Sequence, residues 1–339
     1  MNRKHFISSI VPLASVASAV KGDISFLNEE HKNKIPSYLR KGDTIGITCP
    51  SGFITLEEIQ PAVKKMEDWG FEVRVGETVG KRDFTFAGTD EERKIDFQKM
   101  LDDPTINAIM LGRGGYGAVR TIDDIDFKKF SSKPKWIIGF SDATVIHSHL
   151  NANFGIASIH SKMCNSFPDD WSLAEQTQID SIDSIRKCLV GEEMKYVVMP
   201  DHQNRMGVGE GILVGGNLSI MENLAASASD IDTDGKILFL EEVGEYPYNI
   251  DRMLWNLKRS GKFQKLKGLV ICGVRMKPDD PGEEFGMNLY EMVLEKVKEF
   301  NYPVCFNFPV GHQKENYALK CGVKHRLMIT ENVVELNEV

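Results

Sequence analysis

The chain has 339 residues, 42% of them hydrophobic and 27% charged, and carries a formal net charge of −8. This is the make-up of a globular protein long enough for two cores, and its acidic balance argues against a nucleic-acid-binding surface. The six cysteines, Cys49, Cys164, Cys188, Cys272, Cys305 and Cys321, form no C-x-x-C pair, which excludes the usual zinc spacing and a disulfide framework and leaves buried free thiols.

Residues 1–35 read as a leader. "MNRKHFISSIVPLASVASAVKGD" has a basic start, an apolar run from Phe6 to about Val20, and "ASA" at 17–19 as a cleavage site. "NRKHFIS" loosely resembles a twin-arginine export signal with Lys4 replacing one arginine. The run is short for a membrane span, and Ser and Pro interrupt it. The expectation is export to the periplasm or cell envelope with no stable membrane insertion after processing; cytoplasmic residence is the alternative.

Residues 36–165 are expected to form an α/β domain. "GDTIGITCPSGF" reads as a strand from Thr44 to Cys49 ending in a Pro-Ser-Gly turn. "LEEIQPAVKKMEDWG" has helical periodicity up to Gly70, with Pro61 suggesting a boundary or kink. "FEVRV" is a second strand, and Thr89 with Glu92 is a capping box that opens the next helix. "INAIMLGRGGYGAVRTI" and "KWIIGFSDATVIHSHL" each read as strand, glycine turn and helix. Strands alternating with helices predict a parallel sheet covered on both faces.

Residues 166–205 are polar and rich in turn formers and read as a linker. Residues 206–339 mix strands and helices in a second domain. There Ile250, Met253, Leu254 and Leu257 make one apolar helix face, "LKGLVICGV" a buried strand, and "HRLMITENVVELNEV" a closing hairpin.

Ser141 in "GFSDA" lies close to the G-x-S-x-G pattern, which presents a serine hydroxyl on a sharp strand-to-helix turn beside free backbone amides. The competing use is a helix N-cap by Ser141 or Asp142. Of eight histidines, His312 follows an apolar strand and a glycine, a position where α/β proteins carry functional groups; a surface loop histidine is the plainer reading. Glu241 ends the apolar strand of "KILFLEE", with Glu242 and Glu245 as competitors. The order Ser, Glu, His is one that triads use. Gly112, Gly114 and Gly117 spell G-x-G-x-x-G, but after the third strand rather than the first. Such a loop serves a dinucleotide or lets amides approach an oxyanion. Arg113 and Arg120 bracket it and could meet a carboxylate or simply be solvated.

Taken together, "CPSG" (49–52), "FAGTDEER" (86–93), "GRGGYGAVR" (112–120), "IGFSDAT" (138–144), "GGNLSIMENLAAS" (215–227), "ILFLEEVGEYPYNIDRML" (237–254) and "VGH" (310–312) resemble the LD-carboxypeptidase family of serine peptidases, in the family's order. The resemblance implies an N-terminal parallel-sheet α/β sandwich domain, a C-terminal mixed β/α domain, and a site between them. It implies a Ser141, Glu241 and His312 triad, no metal or cofactor, and a homodimer. The implied reaction is release of terminal D-alanine from a murein tetrapeptide through an acyl-enzyme. The Asp142 amide and an amide of Gly114 or Gly115 would hold the oxyanion, and Arg113 and Arg252 are candidates to meet the leaving residue's carboxylate. A related branch, the microcin C immunity peptidases, hydrolyses aminoacyl-nucleotide analogues; a non-catalytic muropeptide-binding protein is a further alternative. The chain departs from the family in "HSKM" (160–163), where "HGPM"-like text is usual, and in its leader.

Overall fold

The computed structural model describes residues 33–339, so the leader-like segment, apart from residues 33–35, lies outside the described residues. From there the first half alternates strand and helix as its periodicity predicts. β1 (Thr44–Thr48), β2 (Glu72–Val75), β3 (Ile106–Leu111), β4 (Trp136–Gly139) and β5 (Ser158–His160) run parallel in the spatial order β5-β4-β3-β1-β2. β1 and β4 are buried along their whole length, as strands covered on both faces must be.

α1 (Leu56–Asp68) and α2 (Asp90–Asp102) each start on a capping box, Thr55 with Glu58 and Thr89 with Glu92. Pro61 neither ends nor bounds α1 but lies within it. It removes one ladder bond, which the N-terminal cap and the buried Ile59, Ala62 and Met66 outweigh. After β3 the expected α-helix is absent; only short 3-10 turns at Ala118–Arg120 and Ile122–Asp124 follow. The backbone at this point is tied to neighbouring elements. The Ala118 N–H donates to Asp142, and the Gly117 carbonyl accepts from Arg93. The short α3 (Lys128–Ser132) precedes β4, and α4 (Thr144–Phe154) follows it, ending at Gly155 with φ 61°.

Residues 166–205, expected to be a linker, hold α5 (Gln176–Val190) and β6 (Lys195–Val198). Ile182, Ile185 and Leu189 of α5 lie at helical spacing and are buried in the main core. The polar residues around them hide that stripe in the sequence.

The second half supplies β7 (Gly207–Asn217), β8 (Ile237–Val243), β9 (Gly268–Arg275), β10 (Val304–Cys305), β11 (Leu319–Cys321), β12 (Lys324–Ile329) and β13 (Val334–Glu338). Its helices are α6 (Leu218–Asn223), α7 (Pro247–Arg259) and α8 (Leu289–Val297). The sheet order is β10-β9-β8-β7-β12-β13-β6, parallel from β7 to β10 and antiparallel through the predicted C-terminal hairpin. α7 buries Ile250, Met253, Leu254 and Leu257, the face its spacing predicts.

β11 returns to the first sheet and pairs antiparallel with β5. One hydrophobic cluster accordingly joins Ile45, Trp136 and Ile138 of the first sheet to Ile237, Phe239 and Leu327 of the second. The fold is α/β with two sheets, as expected. All six cysteines are buried and unpaired.

Candidate active site

β4 ends at Gly139, where an added Cβ would stand 3.0 Å from the Ala143 Cβ, a contact tight enough to favour glycine at this turn. Phe140 is extended, and Ser141 follows with φ 61°. A left-handed serine costs about 1–3 kcal/mol and persists only where its surroundings hold it. A 3-10 turn, Ser141–Ala143, then runs into α4. Ser141 is not an N-cap: neither helical segment has a side-chain cap bond, and among the described residues the Ser141 Oγ makes no hydrogen bond. Gly114 lies against it, since a Cβ there would stand 3.1 Å from the Ser141 Cβ and 3.3 Å from its Oγ. Among the described residues the amides of Gly114, Gly115 and Asp142 make no hydrogen bond. A free hydroxyl thus stands beside a loop with free donors.

The Asp142 side chain does not cap the helix either. It is buried, and its Oδ2 accepts from the Ser51 Oγ at 2.5 Å and the Ala118 N–H at 2.8 Å. Burial pushes this carboxyl up from its ordinary value, against the pull of Ser51, Ala118 and the Arg93 charge. Arg93, fully buried, donates to the carbonyls of Pro50 and Gly117 and pairs with Asp90. Gly52 N–H donates to the Gly114 carbonyl at 3.0 Å. The three motif stretches 49–52, 112–118 and 141–142 are therefore one hydrogen-bonded block that fixes the glycine loop over the serine. Gly117 has φ 144°, and a Cβ there would strike Arg93 Nη1 at 2.6 Å. Here the G-x-G-x-x-G receives protein side chains. Ser51 and Arg93 were not identified from sequence; the only trace is their presence inside the "CPSG" and "DEER" stretches.

Glu241 and His312 meet. The His312 Nδ1 lies 2.6 Å from the Glu241 Oε2, with the carboxylate fully buried and the imidazole 20% exposed. The pairing of β8 with β9 shifts register between Leu240 and Glu242, where Cys272 and Gly273 of β9 lie opposite Glu241 alone. Gly311 has φ 101°, and a Cβ there would stand 2.6 Å from the Glu241 Cβ, so glycine at 311 is what lets His312 approach. The competitors are occupied: Glu242, on the opposite strand face, accepts from Asn217, Ser219 and Val243, and Glu245 accepts from Asn249.

Two independent contacts tie this pair to the serine corner. The His312 ring lies 4.8 Å, centroid to centroid, from the ring of Phe140, next in sequence to Ser141. Asn217, the register partner of Glu241, donates its N–H to the Thr144 Oγ1 at 3.0 Å, three residues beyond Ser141. Of the two arginine candidates, Arg113 is exposed on the glycine loop and donates to the Phe53 carbonyl at 3.3 Å. Arg252 is exposed on α7, bonded to Asn249 and 5.5 Å from the Tyr248 ring, and touches none of the other candidates. Among the described residues no three His, Cys, Asp or Glu side chains converge to hold a metal ion. A groove of about 680 Å³ lined by Tyr196, Pro309, Glu315 and Tyr317 contains none of the candidate residues.

Known proteins resemble this chain over most of its length. Residues 45–161 match the LD-carboxypeptidase N-terminal domain and residues 210–327 the C-terminal domain. A probable murein peptide carboxypeptidase from Bacillus subtilis is 30% identical over 88% of this chain and 93% of its own length. The crystal structure of muramoyltetrapeptide carboxypeptidase from Oxalobacter formigenes superposes with a TM-score of 0.77 at 28% identity, over 87% of this chain and 98% of that one. An MccF-like protein from Bacillus anthracis has a TM-score of 0.78 at 21% identity, over 90% of this chain and 99% of that one, a likeness of fold.

Proposed function

The chain belongs to the LD-carboxypeptidase family and is a carboxypeptidase hydrolase; from that premise we propose that it releases terminal D-alanine from murein tetrapeptides through a Ser141–Glu241–His312 triad and an acyl-enzyme. The observation that carries the reading is the His312–Glu241 hydrogen bond beside the Ser141 corner. With Nδ1–H donated to the carboxylate, His312 has Nε2 available to take the Ser141 proton as Oγ attacks the scissile carbonyl. Glu241 fixes the tautomer and stabilises the imidazolium. The amides of Asp142 and of Gly114 or Gly115 donate to the oxyanion. His312 then returns the proton to the departing alanine amine, and water, activated by the same imidazole, frees the enzyme.

The test is Ser141→Ala, with alanine release from a tetrapeptide followed by mass spectrometry. Rate should fall by on the order of 10⁴–10⁶-fold with the melting transition retained, since removing a triad nucleophile leaves only binding and oxyanion stabilisation. Near-normal turnover would refute the nucleophile assignment. Hydrolysis of an aminoacyl-nucleotide analogue by the wild type, with the tetrapeptide untouched, would move the protein to the microcin-immunity branch.

A further inference from the structure

A carboxypeptidase must meet the free carboxylate of the residue it removes, and the two arginines suggested by sequence are exposed and already bonded elsewhere. The buried lysines offer another answer. Among the described residues there are five: Lys135, Lys162, Lys262, Lys296 and Lys320. Lys135 donates to the carbonyls of Met100 and Asp103, Lys262 pairs with Asp230, Lys296 with Asp251, and Lys320 with Glu338. Lys162 alone has no hydrogen bond or ion pair for its ammonium among the described residues, although the residue is only 8% exposed. The ammonium nitrogen is not among the sealed, unpartnered atoms, so the stem is buried while its tip keeps an opening. An ammonium held without a counter-ion in such a setting is costly, and burial depresses its pKa from the ordinary lysine value.

Its position explains the cost. Lys162 follows β5, at the carboxyl end of the parallel sheet where ligands of α/β folds bind. On one side of it, the Ser161 N–H donates to the Gly139 carbonyl at 3.0 Å, two residues before Ser141. On the other, the Met163 Cε lies 3.2 Å from where a Gly114 Cβ would be, beside the Ser141 side chain. The acid whose field reaches it is Glu315, three residues beyond His312, and the two form no ion pair. Lys162 thus carries an ammonium without a partner among the described residues, on a segment whose two flanking residues both touch the serine corner. It also lies within "HSKM", where the chain departs from the family's usual text.

We propose that Lys162 is a specificity-determining residue whose ammonium receives the terminal carboxylate of the peptide substrate. The proposal rests on the carboxypeptidase reading above, and its test separates the two. Wild type, Lys162→Met and Lys162→Arg are compared on a tetrapeptide ending in a free carboxylate and on its carboxamide. Lys162→Met should lose on the order of 10²-fold in kcat/KM on the acid, mostly through KM, the scale of unpairing a desolvated charge. It should match wild type on the carboxamide, and Lys162→Arg should recover part of the loss. Methionine keeps the stem and removes an unpaired charge, so the variant should melt no lower than wild type. Equal loss on both peptides, or loss on neither, overturns the proposal. Binding of the same two peptides to Ser141→Ala and to Ser141→Ala with Lys162→Met gives a readout without turnover. If wild type releases no alanine, the functional reading fails. A selective loss of affinity for the acid would still support this inference, and equal or undetectable binding would sink it.

Discussion

At the serine corner the turn itself is local, though its braces come from as far as Ser51, 91 residues from Asp142. Gly139, Ser141 and Ala143 lie within five residues, and the left-handed Ser141 is braced by two other short motifs through Ser51, Arg93 and Asp142. The acid–base half is the reverse: Glu241 and His312 are 71 residues apart and meet where a glycine at 311 lets the histidine loop come against the end of β8. A strained local turn tolerates small adjustments, since its neighbours can give by tenths of an ångström. A long-range pair set by backbone contact has no such slack.

After loss of the nucleophile itself, the largest effect should come from the long-range half. Glu241→Gln removes the charge that orients His312 while keeping the shape, and should cost about 10⁴-fold in kcat, the scale seen when a triad carboxylate becomes an amide. One carboxylate oxygen, Oε1, is buried without a partner, so the amide should fold with a melting temperature close to wild type. Activity within tenfold of wild type would mean that Glu241 only packs against His312.

Two glycines sharpen the contrast. Gly311→Ala must accommodate both φ 101° and a contact of 2.6 Å with the Glu241 Cβ, which cannot swing away. It should lose about 2–4 kcal/mol of stability, seen as a lower denaturant midpoint, and most activity with it. Gly114→Ala meets the Ser141 Cβ at 3.1 Å, which needs to give by only tenths of an ångström, and the Met163 Cε at 3.2 Å and Ser141 Oγ at 3.3 Å, which can rotate away. It should cost about 10–100-fold in rate with less than about 1 kcal/mol in stability. Equal stability losses for the two would erase the distinction between a local and a long-range half.

The same distinction decides what sequence could reveal. The capping box at Thr89 and Glu92, the α7 stripe from Ile250 to Leu257 and the tight turn at Ser141 are patterns of a few residues, and the structure contains them. Local pattern does not separate Glu241 from Glu242, since the two lie side by side in one strand and point to opposite faces; only the family resemblance singles out Glu241. α5 was hidden because its buried residues are few and its exposed face polar. The helix expected after Gly117 gives way to 3-10 turns in a segment tied to Asp142 and Arg93, distant side chains that no local pattern places there. Lys162 carries no sequence signal for its isolation. Only the burial of its stem, with every other buried lysine paired, marks it out.

The smallest effect tests whether the two halves are one body. Each has a buried histidine: His147, whose Nε2–H donates to the Gly139 carbonyl at 2.9 Å, and His325, whose Nδ1–H donates to the Val323 carbonyl at 3.0 Å. Burial lowers both pKa values from 6.5 to about 4. As pH falls below 6.5 the unfolded chain takes up protons that the folded chain refuses, so stability is full above that value and is lost toward pH 4. At pH 5.5 each histidine should account for roughly 1 kcal/mol of loss. His147→Gln and His325→Asn keep the respective hydrogen bonds without the titration, so each should flatten the acid limb of stability against pH by a similar amount. Because one hydrophobic cluster spans both sheets, both substitutions should act on a single unfolding transition. Two transitions, each answering to only one of the substitutions, would show that the serine corner and the acid–base half fold separately. In that case the contact of His312 with Phe140 would be an interface between two bodies and not the interior of one.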